Sequence, residues 1–145
     1  MATRANIELY DSVKHNERFI TWHKGAMLYH HHDGYPAWMG PELTQKLASV
    51  KAILGKQGRS YWWDSERVGA LIVALSADTA DSVPRFQPCL RHHGDIDYIW
   101  RIFLGPEAGQ YTMRCLEMGR DWDHDVVDQL TPIDWQKEAE QENKP

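Results

Sequence analysis

Residues 28–43, LYHHHDGYPAWMGPEL, carry the chain from an extended apolar segment through a turn into a helix. Asp33-Gly34-Tyr35-Pro36 has the composition of a tight turn: Asp accepts backbone hydrogen bonds, Gly supplies positive φ, and Pro stiffens the exit. Gly40-Pro41 then places a proline where a first helical turn tolerates one, and Leu43, Leu47, Val50 and Leu54 follow at helical spacing before Gly55.

Upstream, RANIELY at residues 4–10 alternates Ala5, Ile7 and Leu9 against Asn6, Glu8 and Tyr10, the period-two pattern of a half-buried strand. DSVKHNE is polar and reads as a turn. Residues 18–32 return as a second extended segment, interrupted at Lys24-Gly25 by a bulge or a hairpin turn.

Downstream, Asp64 or Ser65 caps a second helix with Val68, Leu71, Ile72 and Leu75 on one face. DTADSVPRFQP reads as loop. Residues 95–104 alternate Tyr98, Trp100 and Ile102 against Ile99, Arg101 and Phe103, and YTMRCLEM returns after GPEAGQ to complete a hairpin. Thr131-Pro132, with Asp134 in the third helical position, starts a short last helix, and the end of the chain reads as frayed. The order predicts a single α+β domain over 1–145. Its sheet is mainly antiparallel, of about four strands, with two helices packed on one face, a short C-terminal helix and an acidic tail from about residue 120.

The totals exclude several classes. The chain has 145 residues and is 42% hydrophobic, with seven Trp and eight His, a globular composition. A net charge of −5 argues against general nucleic-acid binding, which needs a basic stripe. No leader or membrane-spanning apolar run is present, which predicts a soluble protein of the (host) cytoplasm with no membrane partner. Cys89 and Cys115 fit no CxxC knuckle or disulfide framework and read as reduced thiols. No GxSxG, GxxxxGK[ST] or GxGxxG motif occurs.

The histidines supply the candidate chemistry. On a strand His30 and His32 share one face and His31 takes the other. A second cluster runs from His92 to Asp97, with His93, Asp95 and Asp97 on one side if extended. Were the two to meet, His30, His32, His93 and Asp95 would be a ligand group for a divalent metal able to ionise a bound water. No complete ligand signature such as HExxH supports that, and adjacent histidines cannot all aim at one ion. Arg4 has two readings, a structural pair with a carboxylate such as Asp33, or the cation of an anion pocket with His31.

The N-terminal Thr3, Arg4, Asn6 and Ile7, with Tyr29, His31, Asp33, Gly34, Tyr35 and Pro36, resemble a family of small bacteriophage and prophage proteins. Members start with Thr-Arg-small-Asn-Ile and carry a Tyr-x-His-x-Asp-Gly-Tyr-Pro turn before a helix. The match covers about the first third of the chain, and GDIDYIWRIF is similar in kind to that group's C-terminal hairpin. The resemblance implies a viral accessory protein in a host–virus interaction and carries no chemistry of its own.

Three functions are expected. The first is non-enzymatic inhibition of a host protein, an anti-defence (anti-CRISPR-like) role. It would act through exposed aromatics (Trp38, Trp62, Trp63) and the acidic residues around Trp122. The second is a metal-dependent hydrolase using the His30–Asp33 and His92–Asp97 clusters. The third is a sponge in which Arg4, His31, Asp33, Tyr35 and the aromatics enclose an anionic, nucleotide-like ligand without turnover. An exposed edge from the last hairpin also makes a homodimer an expected partner.

Overall fold

The computed structural model describes residues 3–55, 62, 64–77, 83–118 and 131–142. Trp63 and the acidic residues Asp121, Asp123, Asp125 and Asp128 lie outside the described residues, as does Trp122.

The alternating strand starting at Ala5 is β1 (Ala5–Asn16), and it runs through the segment expected to turn, so that only Glu17 and Arg18 separate it from β2 (Phe19–His30). β2 is one strand. The register moves from Leu9↔Ala26 to Tyr10↔Lys24, so Gly25 is the extra residue of a bulge. Gly25 leaves no room for a side chain, because a Cβ there would overlap Ser65 Oγ and lie 2.8 Å from Asp11 Oδ2.

The helix after the turn, α1 (Pro36–Gly55), begins earlier than Gly40-Pro41 suggests. Pro36 presets the first helical φ and the Met39 amide donates to the Tyr35 carbonyl at 2.9 Å, so Pro41 lies inside the helix and forgoes a bond to the Ala37 carbonyl. Leu43, Leu47, Val50 and Leu54 are all buried, as their spacing predicts. In α2 (Ser65–Leu75) Asp64 is the cap, accepting from the Arg67 amide, and Val68 and Ile72 are fully buried.

The loop-like segment before residue 88 contributes a short strand, β3 (Phe86–Pro88). The expected hairpin is β4 (Tyr98–Leu104) and β5 (Tyr111–Glu117). Thr131–Ile133 forms β6 rather than the start of a helix, and Asp134 caps α3 (Trp135–Glu142) by accepting from the Lys137 amide at 3.2 Å.

These strands make a six-stranded sheet in the order β3-β2-β1-β4-β5-β6, in place of the expected four or so. It is mixed, because β1 pairs antiparallel with β2 and parallel with β4. The parallel pair follows from residues 89–97: β3 runs antiparallel to β2 and so in the direction of β1, and this segment carries the chain from β3 past β2 and β1 to enter β4 in that same direction.

Ala5, Ile7, Leu9, Leu28, Trp100, Ile102 and Leu104 project from the sheet into one core with the buried faces of α1 and α2. Trp135 brings α3 to the same core, its ring 6.0 Å from that of Trp100. The helices thus share one face of the sheet. On the other, outer face, Tyr29, Ile99 and Leu116 form a smaller cluster with Ile96 of the covering segment 89–97, which lies over Asn6, Glu8 and Tyr29. No described helix is long and apolar enough to cross a membrane.

Candidate functional site

The end of β2 divides the histidine run between the two faces of the sheet. Successive strand residues point to opposite faces, so His30 enters the helix side while Tyr29 enters the outer side. The His30 ring is 3% exposed, with centroids 4.6 Å from Phe86 and 5.3 Å from Trp38. Neither of its ring nitrogens has a well-formed hydrogen bond among the described residues. Burial pulls its pKa below the ordinary imidazole value, reinforced by the nearby Arg85 charge and opposed by the His32 backbone and Asp33.

A cleft of about 490 Å³ opens over this ring, lined by His30, His31, His32, Asp33, Trp38 and the segment from Val83 to Arg85 with Gln87. The turn that shapes its rim departs from the sequence expectation in one respect. Asp33, not Gly34, holds the left-handed backbone, at φ 54°. Gly34 is required instead by close approach: its amide donates to the Thr3 carbonyl at 2.9 Å, and a Cβ would stand 2.8 Å from Ala5 Cβ. Trp100 Nε1 donates to the Gly34 carbonyl from below at 3.2 Å.

On the outer face His31 joins the second histidine cluster. Its Nδ1 lies 2.9 Å from the Tyr29 hydroxyl and 3.3 Å from Arg4 Nε. Arg4 Nη1 pairs with Asp95 Oδ2 at 2.7 Å, so the carboxylate partner of Arg4 is Asp95 and not Asp33. The Arg4 amide also donates to Asp97 Oδ2 at 3.0 Å. His93 stacks on Tyr29 with centroids 3.7 Å apart and planes 6° from parallel. The clusters therefore meet, through Arg4, His31 and Tyr29.

That meeting breaks up the expected metal set. His30 lies on the helix side and His93 on the outer side, so His30, His32, His93 and Asp95 cannot close on one ion. The His32 ring instead packs edge-on against His31 at 4.4 Å. Among the described residues, no group of three or more His, Cys, Asp or Glu is arranged to hold a metal.

The other expected site residues separate as well. Trp62 is 2% exposed and donates from Nε1 to the Gln110 carbonyl at 2.7 Å, so it belongs to the core and not to a docking surface. Tyr35, 36% exposed, caps α1 through its carbonyl and stands outside the cleft lining. Trp38, half-buried, is the aromatic that the cleft uses.

Sequence reasoning missed a buried polar row on β1. Asn6 is fully buried; it donates from Nδ2 to the Leu28 carbonyl and Cys89 Sγ, and accepts from the His93 amide. Glu8, 1% exposed, receives the Tyr10 hydroxyl at 2.8 Å, Arg101 Nε at 2.9 Å and His92 Nε2 at 3.1 Å. Burial pushes its pKa up, but the His92 and Tyr10 hydrogen bonds and the Arg101 charge outweigh that and hold it at about 2. Alternation on RANIELY assigns these two side chains to a solvated face. Only the cover from residues 89–97 makes them interior, and the one signal in the sequence is the nearby supply of partners, His92, His93 and Arg101. Compared with family models, with curated proteins and with solved structures, the chain matches none of them.

Proposed function

We propose that the chain acts by binding a small anionic ligand that carries a flat ring, of nucleotide-like chemistry, in the cleft at the end of β2. The observation that carries this reading is His30: a buried imidazole at a cleft wall whose two nitrogens have no well-formed hydrogen bond among the described residues, where a missing partner costs about 1–3 kcal/mol. A ligand group that reaches the ring supplies that partner. Trp38 offers a stacking surface, and Arg85 is a cation of a lining that also holds the Asp33 carboxylate. The volume, about 490 Å³, lies within the range of small-molecule sites.

The resemblance to phage and prophage proteins adds a setting: a virus-type accessory protein that withholds such a ligand from a host component. Binding without turnover is the simplest form of that role. Thermal unfolding of the purified chain with cyclic and linear mono- and dinucleotides, and with inorganic phosphate, tests it. A ligand at 100 times its Kd adds about 2.7 kcal/mol, raising Tm by roughly 5–10 °C. Trp38→Ala should abolish the rise for nucleotides. A flat response to every probe, or a rise that survives in both Trp38→Ala and Arg85→Glu, would reject the cleft as the site.

A further inference from the structure

The part of the outer sheet face that residues 89–97 leave bare has a chemistry unlike the rest of the molecule. The registers put Tyr10, Lys14, Trp22, Lys24, Phe103 and Arg114 on this one surface, drawn from four adjacent strands. Its centre is aromatic: Tyr10 stacks on Phe103 at 4.7 Å and Trp22 meets the same ring edge-on at 5.4 Å. Trp22 remains 41% exposed and Ile20 beside it 37%.

The charge is of one sign. Arg101 and Arg114 are direct cross-strand partners, an arrangement that repels unless an anion compensates it. Glu8 compensates Arg101 alone. Arg114 lies over the Phe103 ring at 5.5 Å, and neither it nor Lys14 nor Lys24 makes an ion pair among the described residues. A chain of net charge −5 thus gathers, around a partly exposed aromatic cluster, three cations with no ion pair among the described residues.

We infer that this surface binds single-stranded nucleic acid, with a base stacked on Trp22 and phosphates held by Lys14, Lys24 and Arg114. Sheet faces that combine aromatic rings with flanking cations suit unpaired bases, and four adjacent strands give room for about two or three of them. Charge complementarity favours this occupant over an apolar protein surface, which would leave the three cations without counter-charges. The site lies on the face opposite His30 and is independent of the ligand proposed for the cleft.

Fluorescence anisotropy with labelled oligo-dT and oligo-U, with the intact protein at low salt, tests the assignment. Expected are saturable binding, quenching of Trp fluorescence, and a log–log salt slope of about −2 for three phosphate contacts on a single strand. Trp22→Ala and Arg114→Ala should each weaken binding about tenfold or more, with Arg85→Glu, on the cleft, leaving it unchanged. Lys14→Glu, at an exposed position, keeps the test decisive if Trp22→Ala fails to fold. Absence of binding by the wild-type chain overturns the inference. So does equal competition by poly-glutamate, the result for a generally anion-binding or acidic-protein surface, or full retention of affinity in Lys14→Glu and Arg114→Ala.

Discussion

Taking an ionised carboxylate out of water is costly unless its oxygens find donors, and both oxygens of Glu8 do, Oε1 from Tyr10 and Arg101 and Oε2 from His92. The consequence is a pH dependence with a defined sign. The folded-state pKa of Glu8, about 2, lies below its ordinary 4.5. Its contribution is therefore complete above pH 4.5 and lost as the pH falls towards 2, and linkage puts it at about 3 kcal/mol. Urea denaturation at a series of pH values should show this slope in the wild type and a flattened one in Glu8→Gln. The variant should lose about that amount at pH 7 and converge with the wild type near pH 2. Gly34 answers to space instead of charge. Gly34→Ala drives a methyl against Ala5 and the Thr3 carbonyl, both backbone-anchored, and should cost about 1–3 kcal/mol, read as a lowered urea midpoint with unchanged slope.

Among the elements, α1 is held by a stripe, and α3 is anchored against α1 and the sheet by Trp135, whose Nε1 donates to the Met113 carbonyl at 3.4 Å. Leu43, Leu47, Val50 and Leu54 bury one face of α1, so Leu47→Ala should lose about 2–5 kcal/mol by leaving a cavity. The last helix is short and polar and rests on Trp135, whose ring occupies the space where a Gly40 side chain would stand. Gly40→Ala should therefore displace α3 specifically. The expected outcome is loss of the near-ultraviolet signal from the Trp100–Trp135 pair, with far-ultraviolet helix content nearly preserved; a global loss of structure would show that α3 and the main core are one cooperative unit. The covering segment 89–97 depends on many small attachments instead: the Cys89 amide to the Met27 carbonyl, the His93 amide to Asn6, and the Asp97 amide to the Arg4 carbonyl.

Across the whole molecule, β1 is the axis. Its residues Ala5 to Leu9 pair with β2 on one side and β4 on the other, while beyond Tyr10 the β1–β2 hairpin is paired only within itself and carries exposed Val13, Phe19, Ile20 and Trp22. Amide hydrogen exchange should follow that division, slowest at Ile7 to Leu9 and fast from Val13 to Trp22; uniform protection along the hairpin would mean that its outer half is covered in solution. Much of this architecture was legible in the residues, because helical and strand periodicities are local properties of the chain. The α1 and α2 stripes, the inward set Ala5, Ile7 and Leu9 and the β4–β5 hairpin are all written in neighbouring positions, whereas Gly25 marked an interruption that only the pairing of β1 with β2 made a bulge. Other features depend on what lies across a gap of many residues. The parallel pairing of β1 with β4, and the short edge strands β3 and β6, required partners brought from elsewhere, since three residues of strand carry no periodicity of their own. The same holds for function. The histidine run announced chemistry, but its direction was decided by which face of the sheet each ring entered and by what already stood there: Phe86 and Trp38 around His30, Tyr29 and Arg4 beside His31. The amino-acid sequence by itself determined the α+β class, the long helices and strands and the faces they turn to the helix-side core. Only the tertiary structure decided that Glu8 and Asn6 are interior, that Trp62 is core, and that the histidines divide between a cleft and a network, because burial is a property of the neighbours that fold over a residue.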